Sequence, residues 1–173
     1  PGGFHQLRDE YYIDFTPSQG DTAPIEPMGY ESTYDALQDL IFEQQGCTNE
    51  ACHGSAGAGG LVLTADQSYE QIFEAPSLGS ELRRIEPGDR HRSYLYQKLL
   101  AAINPDEASI NGGPMPTGGQ AIPEPLLEAL RVWIYAGAPR TGTVDGTATL
   151  LGTELPTPEP LTITPLTPPD TDV

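Results

Sequence analysis

Proline decides how much of this chain can adopt regular structure. The stretch Pro156-Thr157-Pro158-Glu159-Pro160 excludes both a helix and a central strand, because each ring fixes φ and removes a backbone donor. It lies in a final segment, residues 141–173, with ten Thr, six Pro and five acidic residues but neither Lys nor Arg, the composition of an extended tail. Leu155, Leu161, Ile163 and Leu166 recur along it, so it reads either as a solvated spacer or as a strip that docks on a partner or on its own domain. Residues 1–29 read as an extended arm: four Pro, four Gly, five acids, one Arg and the scattered aromatics Phe4, Tyr11, Tyr12 and Phe15. All the apolar periodicity of helical spacing falls in residues 30–140, with 15 of the acids and seven of the bases. The folded domain is expected there.

Within that domain Ser32-Thr33-Tyr34-Asp35 has the form of a capping box with Asp in place of Glu. Leu37, Leu40, Ile41 and Phe42 follow at helical spacing and Gly46 closes the run, which predicts a helix over about residues 33–45. The turn signal Pro87-Gly88-Asp89 precedes a second helix from Ser93 to about Ile103, with Leu95, Leu99, Leu100 and Ile103 on one side. A third opens at Ile122-Pro123-Glu124, carries the stripe Leu126, Leu127, Leu130, Trp133 and Ile134, and stops at Gly137 and Pro139. A short helical turn at 68–74 and an extended piece at Leu61-Val62-Leu63 complete the regular parts, and the loops at 54–60 and 111–119 are expected to be irregular.

The formal charge of −17, from 25 acids against eight bases, argues against a nucleic-acid binder, since phosphates need clustered cations. No apolar run in the sequence approaches the ~18–20 residues of a membrane span. The chain begins at Pro1 with no basic leader, as a processed mature chain or a trimmed fragment would.

Its chemistry is concentrated in one motif, Cys47, four residues, then Cys52 and His53. Two nearby thiols followed at once by an imidazole suit covalent haem c: thioether bonds tie the sulfurs to the porphyrin edge and the His sits beneath the iron. Two intervening residues are usual, so here the extra ones must bulge. A local disulfide and a zinc site are the other readings of these residues, although zinc needs four ligands. A haem held by His53 calls for a second axial ligand from downstream. Met115, in Gly112-Gly113-Pro114-Met115-Pro116, is the candidate, with Met28, His91 and His5 as alternatives and an open position as another. A thioether favours reduced iron, which fits an electron carrier.

The order of Ile41-Phe42, Gly46-Cys47, Cys52-His53-Gly54, Gly59-Gly60-Leu61, Pro87-Gly88-Asp89, Ser93-Tyr94-Leu95, Lys98-Leu99, Met115-Pro116, Gly118-Gly119 and Trp133-Ile134-Tyr135-Ala136-Gly137-Ala138-Pro139 resembles the small mono-haem class I cytochromes c, especially bacterial cytochrome-c-like domains. The resemblance spans about residues 41–139. It implies an all-α, class I cytochrome c fold around one covalent haem c, with the first and last helices crossing beside it. It also implies one-electron transfer without transformation of a substrate, and maturation outside the cytoplasm, in the periplasm or at the extracytoplasmic surface.

Five of the eight bases, Arg83, Arg84, Arg90, Arg92 and Lys98, fall within 16 residues. Haem propionates need partners and an Arg fork suits a carboxylate, so Arg84 and Arg92 are candidates, against the plainer reading of local charge balance. Trp133 reads as core packing against the first helix or the haem edge, with an indole bond to a propionate as the lesser alternative. An acidic carrier is expected to meet a redox partner with a basic docking surface, in a salt-dependent way, and the arm and tail suggest a place in a larger complex. Two other functions compete: a structural or docking subunit in which the haem is secondary, and a gas-sensing or peroxide-reactive site with an open sixth position.

Overall fold

The computed structural model describes residues 29–156. The expected arm, with His5 and Met28, and the tail residues Leu161, Ile163 and Leu166 lie outside the described residues. Among the described residues the regular structure is helical: α1 (Thr33–Leu37), continued by a π-helical stretch Gln38–Glu43, then α2 (Ser68–Ile72), α3 (Tyr94–Ile103), α4 (Glu124–Tyr135) and α5 (Thr147–Leu151), with short 3-10 turns at Ala58–Gly60 and Pro105–Glu107. Extended pairing among them is limited to isolated bridges, such as Phe73 with Ile85 and Arg83 with Ser93. The expectation of an all-α chain holds at that level.

α1 begins where its cap predicts. The Ser32 hydroxyl accepts from the Asp35 N–H at 3.1 Å and donates to the Asp35 carboxylate at 2.8 Å, so Asp closes the box through the side chain rather than by reaching back to the backbone. The second half of this helix differs from the sequence reading. From Gln38 the turns widen to i→i−5 bonds, as in Gln44 N–H to Asp39 O at 2.8 Å, and this turns Gln38, Ile41 and Phe42 all into the interior.

α4 is the central strut. Its stripe is buried in full, from Leu126 and Leu127 through Leu130 to Trp133 and Ile134, and it packs on α1, α3 and α5. Trp133 is wholly enclosed: its indole N–H donates to Pro139 O at 2.8 Å and its ring lies 5.5 Å from that of Tyr34. After Tyr135 the chain reverses through Gly137 at φ +94°, and Ala138 N–H returns to Trp133 O at 2.9 Å. The Gly88 N–H donates to Ile134 O at 2.7 Å, which ties the turn before α3 to the end of α4.

The folded region runs beyond the boundary at residue 140 read from composition. Thr147 and Leu151 of α5 are buried against α1 and α4. The Thr33 and Thr147 hydroxyls meet at 3.0 Å, Val144 N–H donates to the Thr33 hydroxyl at 2.9 Å, and Thr33 N–H donates to Gly142 O at 3.0 Å. Threonine hydroxyls and glycine-bounded turns carry this attachment, and both read as loop chemistry in sequence. Leu151→Ala should therefore cost about 2–5 kcal/mol by urea denaturation, as for other enclosed leucines, whereas Leu78→Ala, at a side chain 78% exposed, should stay within about 0.5 kcal/mol.

Candidate functional site

The π-helical stretch ends at Glu43, and Gly46 at φ +76° turns the chain into the cysteine motif. The four intervening residues are accommodated by a bulge. Asn49, Glu50 and Ala51 are exposed, while His53 N–H donates to Cys47 O at 3.0 Å and closes the loop at its base. Asn49 O accepts from both Cys52 N–H at 2.8 Å and Gly54 N–H at 3.0 Å. Gly54 must be glycine here, because a Cβ would stand 2.6 Å from Thr48 O.

Past the loop the chain returns through the Gly-rich turn to Leu61-Val62-Leu63, extended as expected, and this piece grips His53 twice. Leu63 N–H donates to His53 O at 2.7 Å, and the His53 ring places Nδ1 3.1 Å from Leu61 O. A carbonyl only accepts, so Nδ1 carries the proton and Nε2 keeps its lone pair free. That is the tautomer a metal-ligating histidine requires.

A cavity of about 660 Å³ opens beside His53. Its walls bring together Cys47, Cys52, His53, Arg84 and Met115, five of the seven residues singled out from sequence, with Phe42, Leu61, Leu63, Leu95 and Leu99 supplying apolar surface. The other two lie elsewhere. Trp133 is core, spent on Pro139 and Tyr34, and not at the cavity. Arg92 is exposed and off the cavity wall, at a turn where the Asp89 carboxylate accepts from the backbone N–H groups of His91 and Arg92. Arg84 does line the cavity, but its guanidinium donates to Gly60 O at 2.6 Å, Gln71 O at 2.8 Å and the Gln71 side chain at 3.0 Å. It works as a strut between the Gly-rich turn and α2.

Sequence reasoning missed Tyr94 and Lys98, which stand one turn apart on α3 and both line the cavity. Tyr94 OH donates to Asn111 O at 3.0 Å and accepts from Asn111 N–H at 3.2 Å; Lys98 Nζ donates to Asn111 O at 2.6 Å and Gly113 O at 2.8 Å. Met115 N–H donates to Lys98 O at 2.9 Å, and the Thr117 hydroxyl approaches Met115 Sδ at 3.2 Å. α3 thus holds the Met115 loop against the cavity. The i, i+4 spacing of Tyr94 and Lys98 beside the apolar stripe was the available signal.

Among the described residues no carboxylate stands on the cavity wall, whereas two cations, Arg84 and Lys98, do. Both cysteines are free thiols rather than a disulfide, Cys47 half-buried and Cys52 exposed. Among the described residues no group of three or more His, Cys, Asp or Glu is arranged to hold a metal ion, so the zinc reading finds no ligand set. Again among the described residues, no helix is long and apolar enough to cross a membrane.

Burial pushes the Cys47 thiol up to about 11, with the neighbouring Cys52 adding to the rise. The folded chain therefore holds the Cys47 proton more firmly than the unfolded chain does. That contribution to stability is whole below pH 9, the ordinary thiol value, and is lost as pH rises towards 11. In protein produced without haem, iodoacetamide at mildly alkaline pH should label Cys52 well before Cys47, as read by peptide mass spectrometry. Equal labelling rates would contradict the enclosure of Cys47.

Comparison with known proteins finds no matching family model, no matching curated protein and no matching solved structure.

Proposed function

We propose that this chain is a class I cytochrome c-like protein that carries one covalent haem c and passes single electrons between protein partners outside the cytoplasm. The observation that carries the reading is the convergence of Cys47, Cys52, His53 and Met115 on one apolar cavity, although Met115 lies 62 residues beyond His53 in the chain. The donor set suits the group: two thiols for the porphyrin edge, an imidazole and a thioether for the iron.

When bound, the haem would supply a one-electron couple. The chain's own residues do the rest. Cys47 and Cys52 would anchor the group covalently, and the bulge at 49–51 lets both thiols reach the cavity from one loop. His53 presents Nε2 because Leu61 O accepts from Nδ1. Met115 offers a soft second ligand from a loop fixed by Tyr94 and Lys98. The apolar wall keeps water from the site and lowers the local dielectric, which favours the less charged, reduced form. A wall with no carboxylate among the described residues, and bearing Arg84 and Lys98, is electrostatically suited to a ligand with two carboxylates of its own. Lys98 and Arg84 contribute here as charges, since their N–H groups already meet backbone and Gln71 acceptors.

The net charge of −17 would steer a partner with a basic docking surface, and association should slow as salt rises.

The test is an optical spectrum of the purified native protein, oxidised and reduced, with a pyridine haemochrome assay. The expected result is haem c that survives acid-acetone extraction, the weak long-wavelength band of a thioether-ligated ferric haem, and resistance of the reduced protein to carbon monoxide. Met115→Ala should abolish the band and admit carbon monoxide while covalent haem content stays unchanged. Haem c without the band in wild type would overturn Met115 as ligand, and absence of haem would overturn the function.

A further inference from the structure

A buried polar chain runs behind the cavity, and each of its protons can be assigned. Ser68 Oγ donates to Gln38 Oε1 at 2.6 Å, so its single proton is spent and the Tyr34 hydroxyl, 2.6 Å from Ser68 Oγ, is the donor in that pair. The Gln38 amide then donates from Nε2 to Leu63 O at 2.9 Å, with the Glu43 carboxylate at 3.3 Å as a second acceptor. Leu63 passes the connection on, its N–H donating to His53 O at 2.7 Å. Two residues earlier Leu61 O holds the His53 ring. All three side chains are buried: Tyr34 is 5% exposed, Gln38 6% and Ser68 0%. Burial also keeps the Tyr34 phenol protonated far above its usual range, so it stays a donor throughout ordinary pH.

The placement of Gln38 is what makes the chain possible. It is the first residue of the π-helical stretch, where the backbone leaves α geometry, and it faces inward beside Ile41 and Phe42. No shorter or purely accepting side chain can replace it: the position must accept from Ser68 and donate to Leu63 O at once.

We propose that Gln38 is a positioning residue for His53. By holding Leu63 O it fixes the extended piece whose Leu61 carbonyl orients the imidazole, and it would thereby set how strongly His53 donates to a haem iron it holds. The effect on the ring belongs to the polypeptide alone. The effect on reduction potential rests on the haem reading above.

The graded series Gln38→Leu, Gln38→Glu, Ser68→Ala and Tyr34→Phe tests this in the purified, nitrogen-15-labelled protein, by hydrogen exchange of the His53 ring Nδ1–H and the Leu63 amide, and by midpoint potential. Gln38→Leu removes both roles; Gln38→Glu removes the donor and sets a second carboxylate beside Glu43. Both should speed exchange of the two protons by roughly three- to tenfold, the worth of one hydrogen bond, and raise the potential, because a less firmly oriented imidazole donates less to ferric iron. Ser68→Ala should do less. Tyr34→Phe should do least, since the bond from Ser68 to Gln38 survives. Covalent haem content should be unchanged across the series.

Wild-type exchange of the His53 ring proton in both Gln38 variants would overturn the proposal, as would an equal potential shift in Tyr34→Phe and Gln38→Leu. If the Gln38 variants do not fold, Ser68→Ala against Tyr34→Phe decides by the same ordering. Haem-free wild-type protein would sink the haem reading alone, because ring exchange still decides this one.

Discussion

Leu61-Val62-Leu63 is three residues of extended backbone, and the site depends on it. Its two outer carbonyls and one amide make the contacts that matter: Leu61 O holds the His53 ring, Leu63 N–H holds the His53 backbone, and Leu63 O is held in turn by Gln38. Without this piece His53 would sit at the end of a loop of glycines and small residues with neither a fixed tautomer nor a fixed direction. Backbone groups suit the task because they are placed by the chain path and carry no rotamer freedom of their own. The Gly-rich turn before it is therefore more than a spacer. It allows the chain to double back within eight residues of His53 and present Leu61 O to the ring.

The cavity shows how an acidic protein keeps its described carboxylates out of one region. Several of them pair elsewhere: Glu128 with Arg131 at 2.6 Å, Glu74 with Arg83 at 3.2 Å, and Glu70 with Arg140. Arg131 holds the Glu128 carboxyl below its usual range; that pair is half-buried and the other two are exposed. Such pairs add little to stability. What they show is that the cluster of bases between residues 83 and 98 is divided. Arg83 balances nearby acids and Arg92 faces solvent, whereas Arg84 and Lys98 are turned to the cavity and used as fasteners to backbone carbonyls. Sequence could count these bases but could not sort them, because the sorting depends on which carbonyls the Gly-rich turn and the 111–119 loop bring within reach.

Legibility followed the physical origin of each element. α3 and α4 were readable to within a residue or two because burial of one face leaves a periodic trace and the turn residues at their ends have local causes, as with Gly137. The start of α1 was readable from its cap. Its change to π geometry was not, since the wider turns answer to Leu63 and Ser68, 25 and 30 residues away from Gln38. Cys47, Cys52, His53 and Met115, singled out by residue type and order, do come together on one cavity wall. Tyr94, Lys98 and Gln38 were not singled out, because their part lies in what they touch. Trp133 was read as core against the first helix or the haem edge; it packs on α1 through Tyr34 and is not on the cavity wall, and Pro139 O satisfies its one donor.

α5 completes the argument, because it shows how the ends of the described chain bear on the middle. Thr147 fastens to Thr33, the first residue of α1, and Tyr34, the next residue, begins the buried chain that ends at His53. The same short helix thus receives the C-terminal segment on one side and supports the histidine on the other. Tyr34 also packs against Trp133 and Tyr69, so α4 and α2 meet at the same point. Residues that share partners in this way do not contribute independently: loosening the Thr33–Thr147 contact removes support from Tyr34, and its cost should appear partly in the packing of α1 on α2 and α4. A segment that composition marks as tail is, through this contact, part of the packing where α1, α2 and α4 meet.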